Sequence, residues 1–269
     1  MKYKTGDVKK ILGISVETLR YFENIGLIEP ERNSINNYRY YEALDLNKIV
    51  AYKFYRAMEF SMDKSLDIIN NMSNEDLIIN TDNKMDTIKE KIEYYKNLYL
   101  RMEELKISFE RVEHMMGVYR IEYSPEIIYY YNQINDEFET DEFQMETTKL
   151  WLDELPFVNL AVRMPVNEKP IGSKVNYGYS VKKVYESVFN RLKKSAIMTY
   201  ASKKSIYTIC KTINNQMLSN EHLIPVLNYI NDNNVAINGD VIGWILNEEQ
   251  NNKGKIRYFE LWIPIQDGN

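Results

Sequence analysis

Cysteine is almost missing from this chain of 269 residues: Cys210 stands alone, and histidine is limited to His114 and His222. One thiol rules out an intrachain disulfide and any cysteine-rich metal cluster. The two histidines have no ligand-like spacing, so no metal site is expected and no cofactor is implied. Cys210, set among Ile206, Ile209 and Ile213, reads as a small buried hydrophobe. No run of about 18 apolar residues occurs, so no membrane span is expected. The start, Met1-Lys2-Tyr3-Lys4, lacks the apolar stretch of a secretory signal, and a cytoplasmic location is the expectation. An excess of positive charge is lacking too, the formal net charge being −5. That average hides a local reversal, because residues 1–60 hold ten lysines and arginines against eight acidic residues. Gripping phosphate needs a local positive surface rather than a basic chain.

What is present supports more than one core: 44% of the residues are hydrophobic and 27% charged. Thr5 is placed to cap a helix running to about Leu12, with Val8, Ile11 and Leu12 inward. Gly13 supplies a left-handed turn, Ser15 caps a second helix to about Asn24, and Gly26 ends it. Residues 29–41 hold Pro30, several asparagines and no helical period, which suits a hairpin wing. Helices over about 44–58 and 62–72 complete a small domain. Next, Met85, Ile88, Ile92, Tyr95, Tyr99 and Met102 recur at steps of three and four and resume at Phe109, Val112 and Met116. This is the pattern of a coiled-coil seam interrupted at Lys106. Thirty residues of helix span about 45 Å, more than one small domain covers, although a surface helix packed on its own domain has the same period.

Gly117 breaks that helix and the period changes to two. Strands are expected near 118–123, 127–132, 158–164, 175–182, 196–201, 205–211, 241–247 and 256–265, with helices at 139–154 and 221–231 and a weaker one near 183–193. The order implies an α+β domain of two related halves. The expected fold is therefore an α plus α/β multi-domain chain. It comprises residues 1–75, a DNA-gripping winged helix-turn-helix; 76–116, a dimerisation helix; and 117–269, the α+β domain.

The elements Thr18-Leu19-Arg20-Tyr21-Phe22-Glu23, Gly26-Leu27-Ile28 and Tyr38-Arg39-Tyr40-Tyr41 occur in order and at spacing that resemble the MerR family of winged-helix transcription regulators. By placement, Glu17, Thr18, Arg20 and Tyr21 of the second helix face the major groove. Arg20 is the foremost of them because its fork grips phosphate or guanine at two points. Arg32, Asn37, Tyr38, Arg39 and Tyr40 belong to the wing, which lies against the DNA backbone. One of Tyr21 and Phe22 is expected in the core, with Leu19, Ile25, Leu27 and Ile28. The resemblance implies a homodimer held by an antiparallel coiled coil. It also implies a promoter with an overlong spacer, and a DNA distortion that lets RNA polymerase engage both promoter elements. Metal-sensing members place cysteines at the end of the dimerisation helix; His114-Met115-Met116-Gly117 has none.

Residues 118–269 resemble the GyrI-like, BmrR-type effector-binding domain. The resemblance rests on Tyr258-Phe259-Glu260-Leu261-Trp262-Ile263-Pro264-Ile265 and on Gly239-Asp240-Val241-Ile242-Gly243-Trp244-Ile245. Alternation alone puts Phe259, Leu261, Ile263 and Ile265 on an apolar face that meets helices. Tyr258, Glu260 and Trp262 lie on the other, where rings flanking a carboxylate suit a flat organic cation. Alternatively, Glu260 is solvated or paired with a lysine. Tyr177 and Tyr179 either add rings to the same cavity or cover a sheet face. Relatives that bind many drugs carry a further acid at the position of Gly243. A glycine there enlarges the cavity and removes a charge, leaving a neutral, bulkier or weakly cationic ligand open. Ile245 follows on the same strand as a candidate wall, and Trp244 reads as core. The resulting expectation is a non-enzymatic, dimeric DNA-binding regulator that responds to a small organic effector. Two alternatives stand beside it: a hydrolase using Glu260 as base, or an architectural DNA binder without a ligand.

Overall fold

A computed structural model describes residues 2–34, 37–188, 198–214, 216–251 and 254–266. Packing divides the chain into two compact units, Met1–Ile92 and Glu93–Asn269.

In the first unit, β1 (Tyr3–Lys4) leads into α1 (Thr5–Leu12), and α2 (Val16–Asn24) follows the left-handed Gly13, whose φ is 65°. The cap of α1 is one residue earlier than expected: Lys4 holds the N-cap, and its amide donates to Asp7 Oδ2 at 2.9 Å. Asp7 sits in the first turn, where a carboxylate also favours the helix dipole. Ser15 caps α2, its hydroxyl accepting from the Thr18 amide at 3.1 Å. The wing consists of β2 (Glu31–Arg32) and β3 (Arg39–Tyr41). β1 joins it as a third strand, pairing Tyr3 with Tyr41 and Lys4 with Tyr40. A strand of two residues has no readable alternation, so the sequence did not announce β1. α3 (Ala43–Ala57) and α4 (Met62–Asn70) close the unit. Its core joins Val8, Leu19, Phe22, Leu27, Ile28, Tyr41, Ile49 and Tyr52, so Phe22 and not Tyr21 is the buried ring.

α5 (Asn74–Met115) is one unbroken helix, continuous through Lys106. In the second unit a mixed-length antiparallel sheet contains β4 (Arg120–Tyr123), β5 (Ile127–Ile134), β6 (Glu137–Phe138), β7 (Asn159–Met164), β8 (Asn176–Lys182), β9 (Met198–Tyr200), β10 (Lys204–Ile213), β11 (Val241–Asn251) and β12 (Gly254–Pro264). The order is β4-β10-β12-β11-β7-β8-β5-β6, with β9 pairing β5. α6 (Glu142–Leu152) and α7 (Asn220–Asp232) supply the helices. The weaker helix expected near 183–193 is a short 3-10 helix over Lys183–Val188, and its remainder lies outside the described residues, as do positions 196 and 197 of the expected strand at β9.

Alternation gives this sheet two apolar faces. On one, Phe259, Leu261 and Ile263 pack with Val162, Met164 and Val241 beneath Leu223, Val226 and Ile230 of α7. Ile128, Tyr130 and Val181 continue that face beneath Trp151 of α6, which stacks on Tyr130. The other face carries Ile127, Tyr207, Ile209, Ile242, Trp244 and Trp262, with Met115 and Val112 from the end of α5 packed on it.

Candidate nucleic-acid interface and ligand cavity

In the first unit the second helix and the wing are joined through one carboxylate. Glu23 accepts from Arg39 Nε at 2.9 Å on one oxygen and from the Tyr41 hydroxyl at 2.8 Å on the other. Tyr41 is fully buried, and burial together with the Glu23 contact pushes its hydroxyl up to about 12. The wing is thereby fixed against α2. Arg39 acts as a brace as well as a wing cation, since its side chain is only 27% exposed. Cross-strand register places Arg32 directly opposite Arg39. Glu23 already matches the charge of Arg39, so Arg32 is the exposed cation of the ribbon.

Arg20 and Glu17 are exposed on α2. Glu17 accepts a backbone N–H in the first turn, with Ser15 beside it, and its carboxyl is held below the usual range. Thr18 is half-buried, its hydroxyl 3.1 Å from that of Ser15. Tyr21 is partly exposed, with its hydroxyl on Met62 Sδ at 3.1 Å. In the wing Tyr38, Asn37 and Arg32 are exposed and Tyr40 is half-buried. Asn37 takes a left-handed turn, with φ 55°.

In the second unit Glu260 is 3% exposed, and burial pushes its carboxyl up. It lines a cavity of about 240 Å³ with Trp244, Trp262, Lys182 and, from α5, Glu104, Ile107, Ser108 and Arg111. Trp262 contacts Trp244 at a ring separation of 4.6 Å and Tyr207 at 5.3 Å. Lys182 Nζ is 3.1 Å from Glu104 Oε2 and 5.8 Å from the Trp244 ring centre. Arg111 is 3.7 Å from Glu122 Oε2, with its guanidinium 5.6 Å from the Tyr207 ring centre. Glu260 Oε2 and Trp262 Nε1 are buried without a hydrogen-bond partner.

Several expected cavity residues sit elsewhere. Tyr177 and Tyr179 are on the opposite face of the sheet. Tyr177 lies in the core beneath α7, where its hydroxyl accepts from the Leu218 amide at 2.9 Å, and Tyr179 stacks on Trp151 of α6. Gly243 does not enlarge the Glu260 cavity. It faces the other side, where a Cβ would collide with the Glu260 backbone carbonyl, so the glycine serves close strand packing. Ile245 packs on that same side. Tyr177, Tyr179 and Ile245 line a separate groove of about 300 Å³ with Leu160, Phe138 and Met217. Tyr258 shares the face of Glu260 but is outside the cavity wall, its hydroxyl 3.1 Å from Glu249 Oε2. Trp244, read as core, is both buried and a cavity wall.

Along α5, Ile88, Ile92, Tyr95, Tyr99, Met102 and Phe109 are exposed, Tyr95 by 63%. Val112 departs from that seam, because it packs on the sheet of its own chain beside Met115. Sequence reading missed the second stripe of α5, formed by Arg101, Glu104, Ser108 and Arg111. Its signal was available: Glu104 and Arg111 are seven apart and share a helix face. Arg101 is buried and donates to Asn159 Oδ1 and to the Pro156 carbonyl.

Among the described residues no cluster of histidine, cysteine or acidic groups is arranged to hold a metal ion, and no helix is long and apolar enough to cross a membrane. Residues 4–41 match the profile of the MerR family regulatory protein. The activator TipA of Streptomyces coelicolor is 34% identical over 64 residues, which are 24% of this chain and 25% of TipA. The regulator HmrR of Rhizobium leguminosarum is 39% identical over 59 residues, covering 22% of this chain and 45% of HmrR. These matches therefore span less than half of either relative. A cryo-EM structure of an EcmrR–DNA complex aligns over 99% of this chain and 100% of that one, at 15% identity and a TM-score of 0.38. The N-terminal domain is of the MerR type.

Proposed function

We propose that this protein is a dimeric, DNA-binding transcription regulator that responds to a small organic molecule held in the Glu260 cavity. The observation that carries the reading is the rigid pairing of α2 with its wing through Glu23, which presents Arg20 and Arg32 on exposed surface. A helix for the major groove and a basic ribbon for the adjacent backbone make up a winged reader. The MerR-type match over residues 4–41 supports it.

Dimerisation is assigned to the exposed stripe Ile88, Ile92, Tyr95, Tyr99 and Met102, which is apolar and aromatic and gains from burial against a second copy. Two readers related by a two-fold axis bind an inverted repeat. Distorting promoter DNA at this scale costs about 1–6 kcal/mol, so a modest difference in ligand affinity between two states switches it and lets RNA polymerase engage. The second unit resembles GyrI-like effector domains in strand pattern, and Glu260 with its tryptophans is its binding centre. Glu260 is in this reading a binding group and not a catalytic one, and the protein works in the cytoplasm.

The test is footprinting on DNA upstream of the protein's own gene, beside sedimentation of the full chain. The expected result is protection of an inverted repeat by a dimer, with Ile92→Asp giving a monomer that leaves the repeat unprotected. A dimeric Ile92→Asp protein, or a wild-type protein indifferent to all duplexes, overturns the reading.

A further inference from the structure

Resting on the reading that the Glu260 cavity holds an organic ligand, we infer that Lys182 and Arg111 set its specificity by occupying the aromatic faces themselves, so that the ligand is an uncharged aromatic molecule bearing a hydrogen-bond acceptor rather than an organic cation. A cation recognised by rings sits within about 6 Å of a ring centre. Lys182 already holds that position over Trp244, at 5.8 Å, and Arg111 holds it over Tyr207, at 5.6 Å. Each is anchored by a carboxylate, Lys182 by Glu104 at 3.1 Å and Arg111 by Glu122 at 3.7 Å. An organic cation therefore either sits beside a like charge or displaces one of them, which breaks the ion pair to Glu104 or to Glu122. An uncharged ring does neither.

The unmet groups inside point the same way. The Trp262 indole N–H is buried without a partner, and an indole N–H only donates. Glu260 Oε2 is also unpartnered, and burial works against its charged form, which lessens its pull on a cation. A ligand acceptor satisfies the indole N–H, and leaving such a group unpaired is costly. The cavity, about 240 Å³, is below the usual drug-sized range of about 300–1,000 Å³. One or two fused rings fill that space.

The experiment compares two molecules of the same two-ring shape, quinoline N-oxide (uncharged, with an acceptor oxygen) and N-methylquinolinium (a fixed cation), by titration calorimetry on the full-length protein. Wild type is expected to bind the N-oxide at least about tenfold tighter. Lys182→Met removes the lysine charge and leaves Glu104 paired with Arg101, and it is expected to tighten the cation about fivefold while leaving the N-oxide within about twofold, a step within the range of one cation–π contact. Arg111→Met/Glu122→Gln provides the same comparison from the other side should Lys182→Met not fold. Trp262→Phe is expected to weaken the N-oxide severalfold and the cation hardly at all. Wild type preferring the cation, or a preference unchanged in both Lys182→Met and Arg111→Met/Glu122→Gln, overturns the inference while the cavity reading stands. Failure of both molecules to bind any folded variant overturns both.

Discussion

Cations are used in opposite ways in the two compact units. In the first, Arg20 and Arg32 are exposed, and Arg32 stands across the ribbon from a second arginine. In the second, Arg101, Arg111 and Lys182 are buried or half-buried, and each lies within 4 Å of a glutamate. The same side-chain chemistry is thus left in water in one place, where the proposed function uses it to attract a polyanion, and fills ring faces in the other. The difference is made by the surroundings: a charge in water is open to a mobile partner, whereas one paired with a glutamate and partly withdrawn from water acts locally.

The largest expected effect tests the inner half of the comparison. Trp262 is 5% exposed and packs on Trp244 and Tyr207. Trp262→Ala should cost about 3–5 kcal/mol in urea unfolding. A cost below about 1 kcal/mol would mean that the ring faces are not packed as described. Next comes the outer half: Arg20→Ala should weaken specific operator binding by about 1–3 kcal/mol, measured by gel shift, with unfolding unchanged. Equal affinity for operator and random duplex in both proteins would break the contrast at its outer end.

A pH experiment sharpens the inner site further. Burial raises the Glu260 carboxyl in the folded state, above its unfolded value of about 4.3. Between those two values the folded chain holds a proton that the unfolded chain releases, so stability falls as pH rises through the window. Glu260→Gln should remove this decline and be the more stable protein at neutral pH, as read by chemical unfolding across the range. A decline of the same size in the variant would place its source elsewhere. The smallest effect belongs to the wing: Arg32→Ala should reduce the salt dependence of DNA binding by about one phosphate contact in a plot of log affinity against log salt.

Much of the first unit was legible because its signals are local. Ser15, Gly13, Gly26 and the spacing of Val8, Leu19 and Phe22 act within a turn or two of chain, and the structure follows them closely. The brace from Glu23 to Arg39 and Tyr41 was not legible, because it closes across 16 and 18 residues. In the second unit, alternation paired Tyr177 with Tyr179 on one face but could not say which face. Register answers it: Tyr177 pairs with Val162, Val162 with Gly243, and Gly243 with Leu261, which is on the side away from Glu260. Val112 was misplaced for a related reason, since a period of 3.6 marks an apolar stripe without saying whether the chain's own sheet covers it.

By itself, then, the order of residues determined the longer helices and strands, the paired helices and wing at the N-terminus and the opposed faces of the last strand, because caps, turns and periodicity are short-range interactions. Only the tertiary structure decided that Lys182, Arg111, Tyr207 and Trp244 surround Glu260. Those residues come from four distant elements, and parity between strands depends on how the whole sheet is registered.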